Sequence, residues 1–167
     1  YADGSASVGL WAARTAGAHG NNLKIESCPS ATAYEETSKT TVNDASTSVG
    51  DTVVTVTSAS GISAGDLVNF GDQYEYRVIS ISSNDLTIVR KEEPQYFVAS
   101  NSSGLHEALT NGAAVRRRWR YYDLFDKAPG TSPYAEARGG SGDEIHIVVV
   151  DEDGGISGTK GEVLETY

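Results

Sequence analysis

Basic and aromatic side chains interleave at one place in the sequence, Arg116-Arg117-Arg118-Trp119-Arg120-Tyr121-Tyr122. Guanidinium groups and rings in such a strip supply contact energy toward an acidic protein surface or a nucleic acid. On a β-strand, alternation puts Arg116, Arg118 and Arg120 on one face and Arg117 and Trp119 on the other. The rest of the chain argues against nucleic acid. Thirteen basic residues stand against 23 acidic ones, a formal net charge of −10, and no wider basic field surrounds the strip. Salt links within the chain or between subunits are the expected use of these arginines, which makes Arg116, Arg117, Arg118, Trp119 and Arg120 the candidate interface.

Other chemistry-bearing residues lack the spacing their chemistry needs. Asp151-Glu152-Asp153 is consecutive, whereas a calcium loop needs oxygen ligands at alternating positions and a distant glutamate. The acids are expected to form a solvated hairpin turn. Gly154-Gly155-Ile156-Ser157-Gly158-Thr159-Lys160-Gly161 has the glycines of a phosphate loop, but its Thr-Lys-Gly order is wrong and it leads into a strand. His19, His106 and His146 are far apart and show no metal-like spacing. Cys28, followed by Pro29, has no basic neighbour and is expected to be a buried structural thiol. No local pattern singles out a carboxylate pair of the kind glycoside cleavage uses. Asn101-Ser102-Ser103 matches a glycosylation sequon without a secretory signal to give it meaning. The expectation is a non-enzymatic protein with no catalytic residues, no cofactor and no metal.

The elements that must carry these residues follow from periodicity and turn formers. Gly4 to Gly20, with Val8, Leu10 and Trp11, predicts an amphipathic helix with Gly17 and Gly20 as C-cap positions. Leu23, Ile25 and Ser27 alternate with Lys24 and Glu26 as a strand. From Pro29 to Ser48 the residues are small and polar, which predicts an exposed connection. Strand-like runs then follow at 52–57, 67–70, 74–81 and 86–90, separated by glycine and aspartate turns. The strip at 113–120 is a further strand, after a turn from Leu105 to Leu109 that tolerates helix. These runs predict a small antiparallel barrel or sandwich over residues 43–120, able to fold alone. After a soft stretch at 128–142, residues 144–151 form the most apolar strand, suited to a central position covered on both faces. Residues 155–165 return as its hairpin partner. The fold class is therefore α+β, with residues 1–42 and 121–167 forming one discontinuous domain and 43–120 inserted in it.

Length and composition set the remaining bounds. A chain of 167 residues buries enough surface to need no disulfide or metal staple, and one cysteine cannot form an intrachain bridge. No apolar run reaches the ~20 residues that span a bilayer, so no membrane partner is expected. The sequence has no methionine, starts at Tyr1 without a signal-peptide pattern and stops at Tyr167. It reads as an internal piece of a longer protein.

Two stretches go beyond composition. Gly17-Ala18-His19-Gly20-Asn21-Asn22-Leu23-Lys24-Ile25 resembles the glycine–aromatic–glycine–asparagine–leucine signature of contractile phage tail sheath proteins, with His19 where an aromatic is commoner. Residues 143–158, Asp143-Glu144-Ile145-His146-Ile147-Val148-Val149-Val150-Asp151-Glu152-Asp153-Gly154-Gly155-Ile156-Ser157-Gly158, followed by Gly161 to Leu164-Glu165, resemble the later sheath segment of T4-like myoviruses, a strand and acidic hairpin before G-x-V-L-E. Together they cover about a fifth of the chain; the β-rich insert carries no family signature.

The resemblance implies a sheath-type α+β domain and a structural role. Sheath subunits polymerise around a tail tube, are held extended, and contract to drive the tube through the host envelope during genome delivery. It implies other sheath subunits, the tail tube protein and baseplate proteins as partners. It also implies a location in the virion's tail sheath after assembly in the host cytoplasm. As an excised piece the chain is expected to be monomeric. The competing expectation is a carbohydrate- or receptor-binding β-module on a virion surface, using Tyr74, Tyr76 and Tyr96 as exposed platforms.

Overall fold

The computed structural model describes residues 17–92 and 104–167. Residues 4–16 of the helix expected from Gly4 to Gly20, Tyr96 and the Asn101 sequon lie outside the described residues. The chain divides into two compact units, one made of residues 1–29 with 129–167 and the other of residues 30–128.

In the first unit the strand β1 (Leu23–Cys28) pairs antiparallel with β8 (His146–Asp151), Leu23 opposite Asp151 and Cys28 opposite His146. β8 also pairs with β9 (Glu162–Thr166), so the order is β1-β8-β9. The apolar run at 144–151 therefore takes the central place its composition predicts. Only one of its faces is well covered, however: Val148 and Val150 are buried while Ile147 and Val149 are half-buried. Ahead of β1, the single turn α1 (Ala18–Asn21) starts after Gly17, whose φ of 139° no side-chain-bearing residue adopts comfortably. Gly17 thus precedes a helical turn and Gly20 lies inside it. A second turn, α3 (Pro133–Glu136), has proline at its start. Ser132 caps it, accepting from the Ala135 amide. Asp143 holds Ser132 in turn, accepting from its amide at 2.8 Å and its hydroxyl at 2.6 Å.

The second unit is one antiparallel sheet. Its strands are β2 (Glu35–Thr41), β3 (Val53–Thr55), β4 (Leu67–Asn69), β5 (Tyr76–Ser82), β6 (Asp85–Arg90) and β7 (Ala114–Arg118), in the order β2-β7-β4-β5-β6-β3. Two short pieces flank them, the turn α2 (Ala31–Tyr34) and the 3-10 turn Tyr122–Leu124. Alternation puts Val54, Val68, Tyr76, Val78, Leu86, Ile88 and Val115 into one core with Phe70 and Leu105. The sheet curls until the chain at its two ends meets in a single bridge, Val42 opposite Val56. There the Asn43 amide donates to Thr55 O and the Thr57 amide to Thr41 O, each at 2.9 Å. No strand pairs β2 with β3, so the insert is a curled open sheet and not a closed barrel. The molecule is accordingly a mixed α/β protein dominated by antiparallel sheets.

One local expectation fails. The polar stretch after Pro29 is not a loose connection: it forms β2, which lies in this sheet against β7. The compact unit accordingly runs from Ser30, ahead of the boundary that composition suggests at residue 43, and continues to Ala128. The turn expected over residues 105–109 is a bend without helix; Leu105 is fully buried, and its amide donates to Asp51 O at 2.8 Å. No helix among the described residues is long and apolar enough to cross a membrane.

Candidate functional site

The arginine strip lies on β7, between β2 and β4. Alternation along the strand sends Arg116 and Arg118 to one face and Arg117, with Val115, to the other. On the first face Glu75 gathers three cations. It accepts from Arg118 at 2.7 Å and Arg116 at 3.3 Å through one oxygen, and from Lys91 at 2.9 Å through the other. Glu35, opposite Arg118 in the register, accepts from Arg118 Nε at 3.1 Å. Tyr122 closes the group: its hydroxyl accepts from Lys91 at 2.7 Å, and its ring lies 4.8 Å from the Arg118 guanidinium carbon. Burial on its own would raise the Glu75 pKa. The Lys91 hydrogen bond and the charges of Lys91, Arg118 and Arg116 outweigh it and hold the carboxyl below its usual range. Lys91 and Arg118 are raised in return, against the effect of burial, chiefly by Glu75 and, for Arg118, by Glu35.

On the opposite face Arg117 meets a buried acid. Its Nε donates to Asp66 at 2.9 Å and its Nη1 to Ala33 O at 2.7 Å. Asp66 is 1% exposed and also accepts from the Ser63 amide, so its charge is both paired and hydrogen-bonded. The strand ends at Arg118, and the expected alternation ends with it. Trp119 is buried, 5.4 Å from Tyr121 edge-on and 5.9 Å from Phe125 in a stack. Arg120 turns to the loop before β4 and donates to Ala64 O. Four of the five candidate interface residues thus have identified polar partners inside their own unit, and the fifth is a core residue.

The acidic cluster resolves differently. Asp151 is not a solvated turn residue; it is buried and accepts from the amides of Gly154, Ile156 and Ser157 at 3.0, 2.9 and 2.6 Å and from the Ser157 hydroxyl. Burial opposes ionisation, but these donors hold its pKa below the carboxylate norm. Glu152 and Asp153 are exposed. Among the described residues no three of His, Cys, Asp and Glu are grouped to hold a metal ion.

Cys28 is fully buried, as its context predicts, and the register sets His146 opposite it across the sheet. Sequence reasoning misses that pair because the two residues meet only through strand pairing. With the thiol enclosed, no substrate reaches it. Tyr76 is also fully buried; its hydroxyl donates to Asp72 at 2.9 Å and accepts from the His106 amide. Burial, reinforced by Asp72, pushes the phenol pKa up. Tyr74 stacks on His106 at 4.0 Å, against the core. The tyrosines considered as a sugar platform are occupied with packing, apart from Tyr96, which is outside the described residues.

What fold and site define is a two-unit antiparallel protein whose conspicuous polar feature is an internal, cross-strand ion network. No protein-family model, curated protein or solved structure matches the chain.

Proposed function

We propose that this chain is part of a structural subunit of a contractile phage tail sheath, which polymerises around a tail tube and contracts to drive it through the host envelope. The observation that supports this reading is where the two family-like stretches meet. The Gly17–Ile25 stretch enters β1, the Asp143–Glu165 stretch makes β8 and β9, and the three strands form one sheet. Their turns also touch: the Glu152 amide donates to Asn22 O at 2.7 Å, and a Cβ on Gly155 would fall on the Asn22 amide group. Two stretches with no reason to be near each other in sequence are thus one structural unit, as expected if both derive from one conserved piece of architecture. A unit whose arginine strip finds its partners internally suits a subunit that must move as a body when a lattice shortens. The partners under this reading are other sheath subunits, the tube protein and the baseplate, and the site of action is the virion tail.

Electron microscopy of the full gene product, expressed with and without its tube protein, tests the proposal. Tubular polymers with a helical lattice are the expected result. A product that stays dispersed in both conditions would overturn it.

A further inference from the structure

A further arginine, Arg77, lies outside the ion network, and Arg120 is its neighbour. Arg77, on β5, and Arg120, just beyond β7, line one cleft of about 190 Å³ together with Ala64, Gly65, Val78 and Ile79. Both are pinned to the same turn: Arg77 Nη1 donates to Gly65 O at 3.2 Å and Arg120 Nη2 to Ala64 O. Gly65 sits at φ 95°, and a Cβ there would come within 2.7 Å of the Arg120 guanidinium carbon. The turn is therefore built to let that guanidinium lie against bare backbone.

The geometry points to an oxyanion-binding cleft between Arg77 and Arg120, for a phosphate or carboxylate group. Arg116, Arg117 and Arg118 each have a carboxylate within 3.3 Å. Arg77 has none within ion-pair distance among the described residues, and its Nε is a buried donor with no acceptor. A guanidinium carries five N–H donors in a fixed fork, and the single carbonyl of Gly65 leaves most of them unused. Burial lowers the Arg77 pKa; the charge of Asp123 is the main effect opposing this, and the like charge of Arg120 lowers it further. An anion between the two guanidiniums relieves that repulsion and supplies the bidentate acceptors that such forks match. In a chain of net charge −10, a local pair of cations is also where an anion is drawn in instead of repelled.

The oxyanion has two possible sources: free inorganic phosphate, or a carboxylate presented by a second copy of the chain. Between Asp143 and Tyr167 the sequence has seven acidic residues against one lysine, Lys160, so each copy carries a donor of such groups. The inference does not rest on the sheath reading; a product that forms no tubes but binds anion here sinks only that reading.

Titration of the full chain with sodium phosphate, against sodium chloride at equal ionic strength, tests the cleft by amide and arginine Nε NMR. Saturable shifts confined to residues 64–66, 77–79 and 120 are expected. Arg77→Gln and Arg120→Gln should each weaken binding at least tenfold, and Arg77→Lys, which keeps charge but loses the fork, should fall between. Unshifted core resonances check that each variant is folded. If phosphate produces no such shifts, sedimentation across concentration should reveal self-association that either substitution abolishes and salt weakens, which assigns the site to a neighbour's carboxylate. No phosphate binding and no such association, or binding indifferent to both substitutions, overturns the cleft.

Discussion

Glu75 answers three cations with two oxygens, and its side chain is only 16% exposed. Removing its charge leaves Arg116, Arg118 and Lys91 facing one another with one acid, Glu35, between them. Glu75→Gln should cost about 2 kcal/mol in denaturant unfolding, below the full penalty of a deeply buried pair because Lys91 and Arg116 keep access to water. The pH sign follows from the depressed pKa. Glu75 stabilises the fold fully above its unfolded value near ~4.3 and loses that contribution as pH falls through the lower folded value. Wild type should therefore lose stability on acidification below about pH 4.5, and Glu75→Gln should show a flatter profile there. Asp151 carries the same sign, since its folded pKa is also depressed. Its charge is spent on holding a turn. In Asp151→Asn, one carboxylate oxygen that accepts amides becomes a donor, and hydrogen exchange at Ile156 and Ser157 should accelerate selectively. Equal exchange in the variant and wild type would show that the turn stands without it.

At the level of elements, the strands from 53 to 90 were legible because alternating apolar residues between glycine and aspartate turns leave little choice of period. β2 was not. Glu35-Glu36-Thr37-Ser38-Lys39-Thr40-Thr41 offers no large apolar side chain, because a strand paired along its length with β7 alone can use ion pairs such as Glu35 with Arg118 in place of burial. The alternation of Arg116, Arg117 and Arg118 was readable, but their partners were not. Glu35 and Arg118 lie 83 residues apart, and only the strand order brings them together. The strand stops at Arg118, so Trp119 and Arg120 fall outside the alternation that their sequence suggests. The element most exposed to a single substitution is the segment at Gly104 and Leu105, which lies against Gly50 and Asp51. A Cβ on Gly104 would stand 2.2 Å from Gly50 O and 2.4 Å from Asp51 O, both backbone atoms that cannot step aside. Gly104→Ala should destabilise the sheet by about 3 kcal/mol in thermal or chemical unfolding. Ile88→Ala, which empties part of a fully buried site, should cost about 2–5 kcal/mol.

Across the whole molecule, the unit from Ser30 to Ala128 owns its sheet and its core. Expressed alone, residues 30–128 should unfold in one cooperative transition with dispersed amide resonances. A non-cooperative melt would show that the insert depends on the flanking unit. The two ends of this insert are fastened to each other: the Tyr34 hydroxyl donates to Tyr122 O at 2.6 Å and to Phe125 O at 3.0 Å, and the Trp119 amide donates to Tyr34 O. That fastening bears on the order of events during synthesis. β1 leaves the ribosome long before β8, its partner, and pairing the two across a disordered chain of that length carries a large loop-closure cost. Once the insert has folded, its clamped ends turn the long intervening chain into a short effective loop, so the late strands find β1 as though the insert were hardly there. Folding of the second unit thus becomes the clock for the first. Tyr34→Phe should slow refolding of the β1–β8 pair, followed by pulse-labelled hydrogen exchange, more than it slows the insert itself.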